Sequence, residues 1–319
     1  MKIIKNLAFA TLTVALLFQT SITRADSTPF SRIIVFGDSL SDTGNLFQLS
    51  GGFPPPPYFE GRASNGRLWV EQLADALGTS IAPGDNYAVF GATTGHFNLS
   101  NGLNGRLYPG LLDEIGSFTA TRSAAEARGA LFVVWAGAND FFLALATAQS
   151  PQALIGKGVG NTVQAIQQLW QAGARHIMIV NVPDLGLTPY ARSRNIGALV
   201  TQLSAAYNQA LDSALDNLAG AGISTIRVDA FALLREMVSQ PARFGFTNVT
   251  DPLIFVGGNA DEFLFWDEMH PTTRGHAVVA EESADSLIRY FSPRQGEVTP
   301  AALINSLNGL VNAWGRNRR

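Results

Sequence analysis

Short continuous apolar runs alternate along the chain with longer segments of helical periodicity. Ile33–Phe36, Ala130–Trp135, Arg175–Val182 and Ser224–Val228 have the look of buried strands, and Asn86–Ala92 reads as a further strand running into a turn. Between them, apolar residues recur at helical intervals in Leu68–Leu77, which Gly78 would close, and over Pro109–Ala127, Pro151–Ala172 and Asn195–Leu218. The same spacing returns after Thr273 through Ala277, Ala280, Ala284, Leu287 and Ile288. Strands that alternate with helices of ten or more residues predict an α/β domain, with a central parallel sheet and helices on both faces. The stretch from Ser239 to Glu262 is less regular and predicts a loop excursion. A last apolar segment, Ala301–Trp314, predicts a terminal helix.

The first residues change the picture of the whole. Lys2 and Lys5 precede an apolar run from Leu7 to Phe18, and Thr23-Arg24-Ala25 follows with the small residues of a cleavage site. These are the three parts of a secretory signal peptide, so residues 1–25 are expected to direct export and Asp26 to begin the mature chain. The run is too short to cross a bilayer comfortably, and no later stretch is longer. The remaining residues, 26–319, show no internal repeat or composition break and are expected to form one domain.

Composition narrows the function. Of 319 residues 46% are hydrophobic and only 15% charged, enough to bury a sizeable core. A net charge of -3 gives no basic footprint for nucleic acid. The absence of cysteine removes disulfides, thiol nucleophiles and zinc-thiolate sites, and suits a secreted or periplasmic bacterial protein.

The candidate chemistry lies where apolar runs break. The first run ends in Gly37-Asp38-Ser39, which places a hydroxyl at the carboxyl end of a strand, where open α/β sheets bind ligands. Taken alone, Gly-Asp-Ser is also the composition of an ordinary turn. A nucleophilic serine needs a base, an acid that orients the base, and donors for the oxyanion. Among four histidines, His270 lies three residues after Asp267, a spacing that lets the carboxylate accept the Nδ1 proton and leaves Nε2 for Ser39. His96, in a loop, is the rival base; His176 opens a strand and His276 sits in a helix. The backbone N–H groups of Ser39 and Gly91 and the side chain of Asn139 each follow an apolar run, so all three donors would meet at one sheet edge. Asp267 and His270 are not a metal site, and no cofactor is called for.

Four blocks in order, Gly37–Asn45, Asn86–Ala92, Gly137–Asp140 and Trp266–Pro271, resemble those of the GDSL, or SGNH, serine esterases and lipases. The resemblance covers most of the mature chain. It implies a flavodoxin-like three-layer sandwich, a Ser39-His270-Asp267 triad, and an oxyanion hole of Ser39, Gly91 and Asn139. It also implies that Asp38, Asp42, Asn45 and Asp140 hold the loops. The second block departs from the family pattern by placing Phe90 where many relatives have a first glycine. The sequence around Ser39 lacks the Gly-x-Ser-x-Gly elbow of α/β-hydrolases. Carboxylic esters are the expected substrates, acyl lipids or lysophospholipids first and acetylated carbohydrates as the alternative. Phe53, Tyr58 and Phe59, on a Gly- and Pro-rich loop, and Phe90 are expected to wall an acyl chain. An adhesin or autotransporter passenger is the alternative from another class, and would call for a downstream barrel of alternating strands. The few basic residues near the C-terminus leave a transient membrane-surface contact open.

Overall fold

The parallel sheet is built from β1 (Arg32–Gly37), β2 (Ala130–Trp135), β3 (His176–Val180) and β4 (Ile226–Val228) in that spatial order. The computed structural model describes residues 30–292 together with positions 308, 309 and 312. The expected signal peptide lies outside these residues, as does most of the expected terminal helix. All pairs are parallel, with Ile33 opposite Leu131, Gly37 opposite Trp135 and Val133 opposite Met178. Side chains alternate faces along a strand, and here both faces are apolar, which is what a strand covered on two sides requires.

Ile33, Val35, Leu131 and Val133 enter one core with the helices α1 (Trp69–Ala76), α6 (Ala230–Ser239) and α7 (Thr273–Phe291). Ile34, Phe36, Phe132 and Val134 enter the other with α2 (Leu111–Thr121), α3 (Ala138–Ala146), α4 (Pro151–Gln171) and α5 (Gly197–Gly220). The result is a three-layer α/β sandwich. The Pro109–Ala127 periodicity divides into α2 and a short helix at Ala124–Ala127, which Ser123 caps with its side chain. The irregular stretch from Ser239 to Glu262 forms short helical turns at Pro241–Phe244, Leu253–Val256 and Ala260–Glu262.

The strand expected over Asn86–Ala92 is not a strand of the sheet. The chain runs beside β1 through three backbone bonds: Val35 N–H to Asp85 O (2.8 Å), Tyr87 N–H to Val35 O (2.8 Å) and Val89 N–H to Gly37 O (3.0 Å). One parallel bridge, Val35 with Asn86, results. The outer edge is closed by side chains, because Asn45 Nδ2 donates to the carbonyls of Asn86 (3.0 Å) and Ala88 (2.8 Å). The apolar run is therefore an edge strapped by an asparagine. Its position next to β1 on the side away from β2 means that the connections change direction at β1 and β2. The carboxyl ends of those two strands form the switch point where open α/β sheets place their ligands.

Candidate active site

β1 can turn into the site only because Gly37 ends it. Its φ is +144°, and a Cβ there would stand 2.1 Å from the carbonyl oxygen of Trp135. Asp38 tightens the turn by accepting the N–H of Leu40 at 3.0 Å, and Ser39 lies between them, 6% exposed.

From the far end of the chain, Asp267 shapes the loop that carries His270. Its Oδ1 accepts the N–H groups of Met269 (2.8 Å) and His270 (2.7 Å), so one carboxylate oxygen holds the backbone. The other, Oδ2, lies 2.7 Å from His270 Nδ1, and His270 Nε2 lies 2.8 Å from Ser39 Oγ. With Nδ1 donating to the carboxylate, Nε2 is left to accept the serine proton. Burial alone would lower the proton affinity of His270, but the Asp267 carboxylate and its hydrogen bond outweigh burial and raise it. For Asp267 burial works upward, and His270 with the backbone donors brings its net shift below the ordinary value. Tyr58 donates its hydroxyl to the same Oδ2 at 3.0 Å.

The proposed oxyanion donors come from two other elements. Gly91 turns the chain with φ +86°, where a Cβ would meet Asn98 Oδ1 at 2.6 Å. Asn139 stands in the first turn of α3, 8% exposed, and its Nδ2 donates to Ala92 O at 3.0 Å, which ties it to the Gly91 turn. Among the described residues, the N–H groups of Ser39 and Gly91 have no acceptor within the protein.

Buried acids anchor this arrangement. Asp42 Oδ2 accepts the N–H of Phe90 (2.8 Å) and of Leu46 (3.0 Å), and Asp140 accepts the N–H (2.9 Å) and hydroxyl (2.6 Å) of Thr94. Glu114, on α2, accepts N–H bonds from Gly37 (2.8 Å) and Val89 (3.2 Å). Burial pushes all of these carboxyls up, Asp140 to about 6, and pushes Asp38 to about 7.

Ser39, Asn139 and His270 open on a cavity of about 630 Å³. Its other walls are overwhelmingly apolar and come from α3, the start of α4, residues 183–203 and α6; Leu154, Leu185, Leu203, Leu234 and Met237 are among them. Gly91 does not line this cavity, and neither do Phe53, Tyr58, Phe59 or Phe90. The aromatic loop therefore does not form the expected acyl wall. It stands behind the triad instead: Phe53 packs on Phe90 (5.8 Å between rings), Phe90 on His270 (5.4 Å), and Tyr58 bonds to Asp267. Sequence reasoning missed the cavity walls because their leucines show the same periodicity as core leucines.

The remaining histidines sit elsewhere. His96 pairs with Asp113 at 2.6 Å on the surface, with a side chain 71% exposed. His176 is wedged between Phe30 and Phe291. His276 is fully buried in α7, and burial lowers its pKa to about 3, so it stays neutral. Among the described residues, no group of three His, Asp or Glu could hold a metal ion.

Comparison with known proteins identifies the family. Residues 33–283 match the family description "GDSL-like Lipase/Acylhydrolase". A phosphatidylcholine-sterol acyltransferase of Aeromonas hydrophila is 30% identical over 83% of this chain and 92% of its own length. A thermolabile hemolysin of Vibrio parahaemolyticus is 27% identical over 82% of this chain, which spans only 65% of that longer relative. Among solved structures, an acetylxylan esterase of Geobacillus stearothermophilus aligns with a TM-score of 0.48 at 12% identity, over 81% of this chain and 94% of that one.

Proposed function

We propose, for a chain that belongs to the family of GDSL-like lipases and acylhydrolases and is a carboxylic ester hydrolase, that Ser39 is its nucleophile and long acyl esters its substrates. In this reading the protein is exported through residues 1–25 and acts outside the cytoplasm on acyl lipids or lysophospholipids. Ser39 Oγ gives its proton to His270 Nε2 and attacks the ester carbonyl. The tetrahedral oxyanion is held by the N–H groups of Ser39 and Gly91 and by Asn139 Nδ2. His270, oriented by Asp267, returns the proton to the departing alkoxide, which leaves an acyl group on Ser39. A water then takes the place of the alcohol and gives its proton to His270 as it attacks the acyl carbon; the acid is released as the bond to Ser39 breaks and His270 returns the proton to Ser39 Oγ.

The observation that carries the lipid reading is the junction of the hydrogen-bonded Ser39-His270-Asp267 chain with an apolar cavity of about 630 Å³. A cavity of that size is in the range of small-ligand sites. Its walls reward methylene groups, whereas sugar hydroxyls buried there would lack partners. The name of the Aeromonas relative, an acyltransferase acting on phosphatidylcholine, supports a phospholipid acyl group. Leu145 and Leu199 line the cavity yet are 66% and 58% exposed, which puts apolar side chains at its mouth and supports brief contact with a lipid surface.

The test is a series of esters of one alcohol, from acetyl to octanoyl, alongside a fluorophosphonate probe. Each buried methylene contributes about 0.8 kcal/mol, or roughly fourfold in kcat/KM, while the chain stays within the cavity. Ser39→Ala should lose both labelling and turnover. Labelling that persists in that variant would refute the nucleophile. A preference for acetyl, joined to activity on acetylated oligosaccharides, would replace lipids with carbohydrates as the substrate class.

A further inference from the structure

We infer that Glu114 is a positioning residue for the oxyanion hole, clamping together the two turns that carry Ser39 and Gly91; the inference rests on the roles proposed above. Glu114 sits on the face of α2 that buries Leu111, Ile115 and Phe118, and is itself only 1% exposed. Its Oε2 accepts the N–H of Gly37 at 2.8 Å and its Oε1 accepts the N–H of Val89 at 3.2 Å. Gly37 lies two residues before Ser39, and Val89 two residues before Gly91. One carboxylate thus spans the last residue of the nucleophile strand and the segment that ends in the oxyanion turn. The direct bond from Val89 N–H to Gly37 O, 3.0 Å, runs alongside.

The choice of residue is informative. A buried carboxylate with no cation beside it costs stability, and among the described residues no ion pair reaches Glu114. Burial, then the nearby Asp38 and Asp42, all press its carboxyl toward the neutral form. Each oxygen nevertheless faces one backbone N–H, an arrangement that suits a carboxylate. The two donors stand at different oxygens, so an amide would set its NH₂ against one of them and an apolar side chain would offer no acceptor to either. Both carboxylate oxygens of Glu114 are turned to backbone N–H groups and the residue is only 1% exposed, so it acts through the turns it holds and not on substrate. It acts on the distance between two donors that meet only when the substrate carbonyl becomes tetrahedral.

The experiment compares Glu114→Gln and Glu114→Asp with the wild type on a short soluble ester, well below the melting temperature. In Glu114→Gln the amide NH₂ must oppose one of the two N–H groups and push the turns apart. A displacement of about 1 Å can cost up to about 10²-fold in rate, so kcat should fall ten- to a hundredfold with KM within about twofold. Fluorophosphonate labelling of Ser39, which also forms a tetrahedral adduct, should slow by the same factor as kcat/KM. Glu114→Asp keeps both acceptors on a stem one methylene shorter, and should recover part of kcat relative to Glu114→Gln. If Glu114→Gln does not fold, the split between kcat and KM in Glu114→Asp decides by the same criterion. A folded variant with wild-type kcat and a lowered melting temperature would make Glu114 purely structural and overturn the inference. The nucleophile assignment has its own control: Ser39→Ala that still turns over overturns that assignment, whereas a dead Ser39→Ala beside normal Glu114 variants overturns the clamp alone.

Discussion

Replacing Asp267 by asparagine should inactivate the enzyme without moving an atom of the backbone, for a reason visible in the hydrogen bonds. Oδ1 of Asp267 accepts two backbone N–H groups, from Met269 at 2.8 Å and His270 at 2.7 Å. The amide oxygen of an asparagine must take that place, because the flipped amide would set its NH₂ against two donors. Leaving two buried backbone donors without an acceptor costs about 2–6 kcal/mol, at about 1–3 each, so the flipped form stays at no more than about a few per cent. The NH₂ group then faces His270 Nδ1 across the 2.7 Å that Oδ2 now spans. A donor at that position forces the ring proton onto Nε2, 2.8 Å from Ser39 Oγ. The serine proton loses its acceptor. Tyr58 does not oppose the change, since its hydroxyl can rotate from donating to accepting. Triads trapped in the wrong tautomer lose about 10⁴-fold in kcat, and a fall of about 10³–10⁴ is expected here. Initial rates on a saturating short nitrophenyl ester, with melting temperature as the fold control, measure it. A loss smaller than about tenfold in a folded variant would show that Asp267 does not set the tautomer, and the proposed division of roles would fail.

Two further outcomes follow from the same geometry. Asn139→Ala removes one oxyanion donor and should lower kcat by about 10²–10³ while KM stays nearly constant; unchanged kcat would leave Asn139 only its tie to Ala92. The buried acids should make stability fall as pH rises from about 4 to about 7, a trend that buried His276, its pKa lowered from 6.5 to about 3, opposes below about 6.5. Asp38 has a folded pKa of about 7 and Asp140 of about 6, against an ordinary 3.8, so in that interval the folded chain holds protons that the unfolded chain releases. The raised pKa of His270 acts with the same sign. Melting temperatures across that range test this, and Asp38→Asn should flatten the slope; a melting temperature that climbs with pH would contradict it.

Much of the fold and of the candidate site could be read from the chain because it is encoded locally. Continuous apolar runs such as Ala130–Trp135 identify strands buried on both faces, and the polar residues that end them mark the sheet edge. The pairing of Asp267 with His270 is a matter of three residues. What escaped depends on long-range placement. Tyr58 meets Asp267 across 209 residues, which no local pattern announces. Leu154, Leu203 and Leu234 have core periodicity, and periodicity records that a side chain leaves water without saying whether it meets another side chain or a cavity. Asn86–Ala92 looks like a strand because apolar residues dominate it, yet it makes a single bridge to β1 and its outer carbonyls are taken by the side chain of Asn45. Glu114 did leave a trace: it stands among Leu111, Ile115 and Phe118, where the helical pattern calls for an apolar residue.

That trace points to how the site is built. Asp42 and Glu114 each gather backbone N–H groups from two separate stretches of chain, while Asp38 and Asp140 fasten turns on either side of the nucleophile. Apolar packing alone would hold these loops to within the tolerance of side chains that can slide. A carboxylate that accepts directed bonds fixes the turns to the geometry of an N–H···O contact. Each such acid is buried and raises its own pKa, so the arrangement costs stability at neutral pH. The proposed oxyanion donors need that rigidity most, because their contribution depends on being in place before charge develops. The cavity makes the opposite demand. In the proposed reading its leucines and Met237 accept flexible chains of varied length, for which undirected apolar contact is sufficient. Directed polar anchors on one side of Ser39 and undirected apolar walls on the other divide the labour between bond breaking and chain binding. Substitutions among the acids should therefore act mainly on kcat, and substitutions in the walls mainly on the preferred chain length.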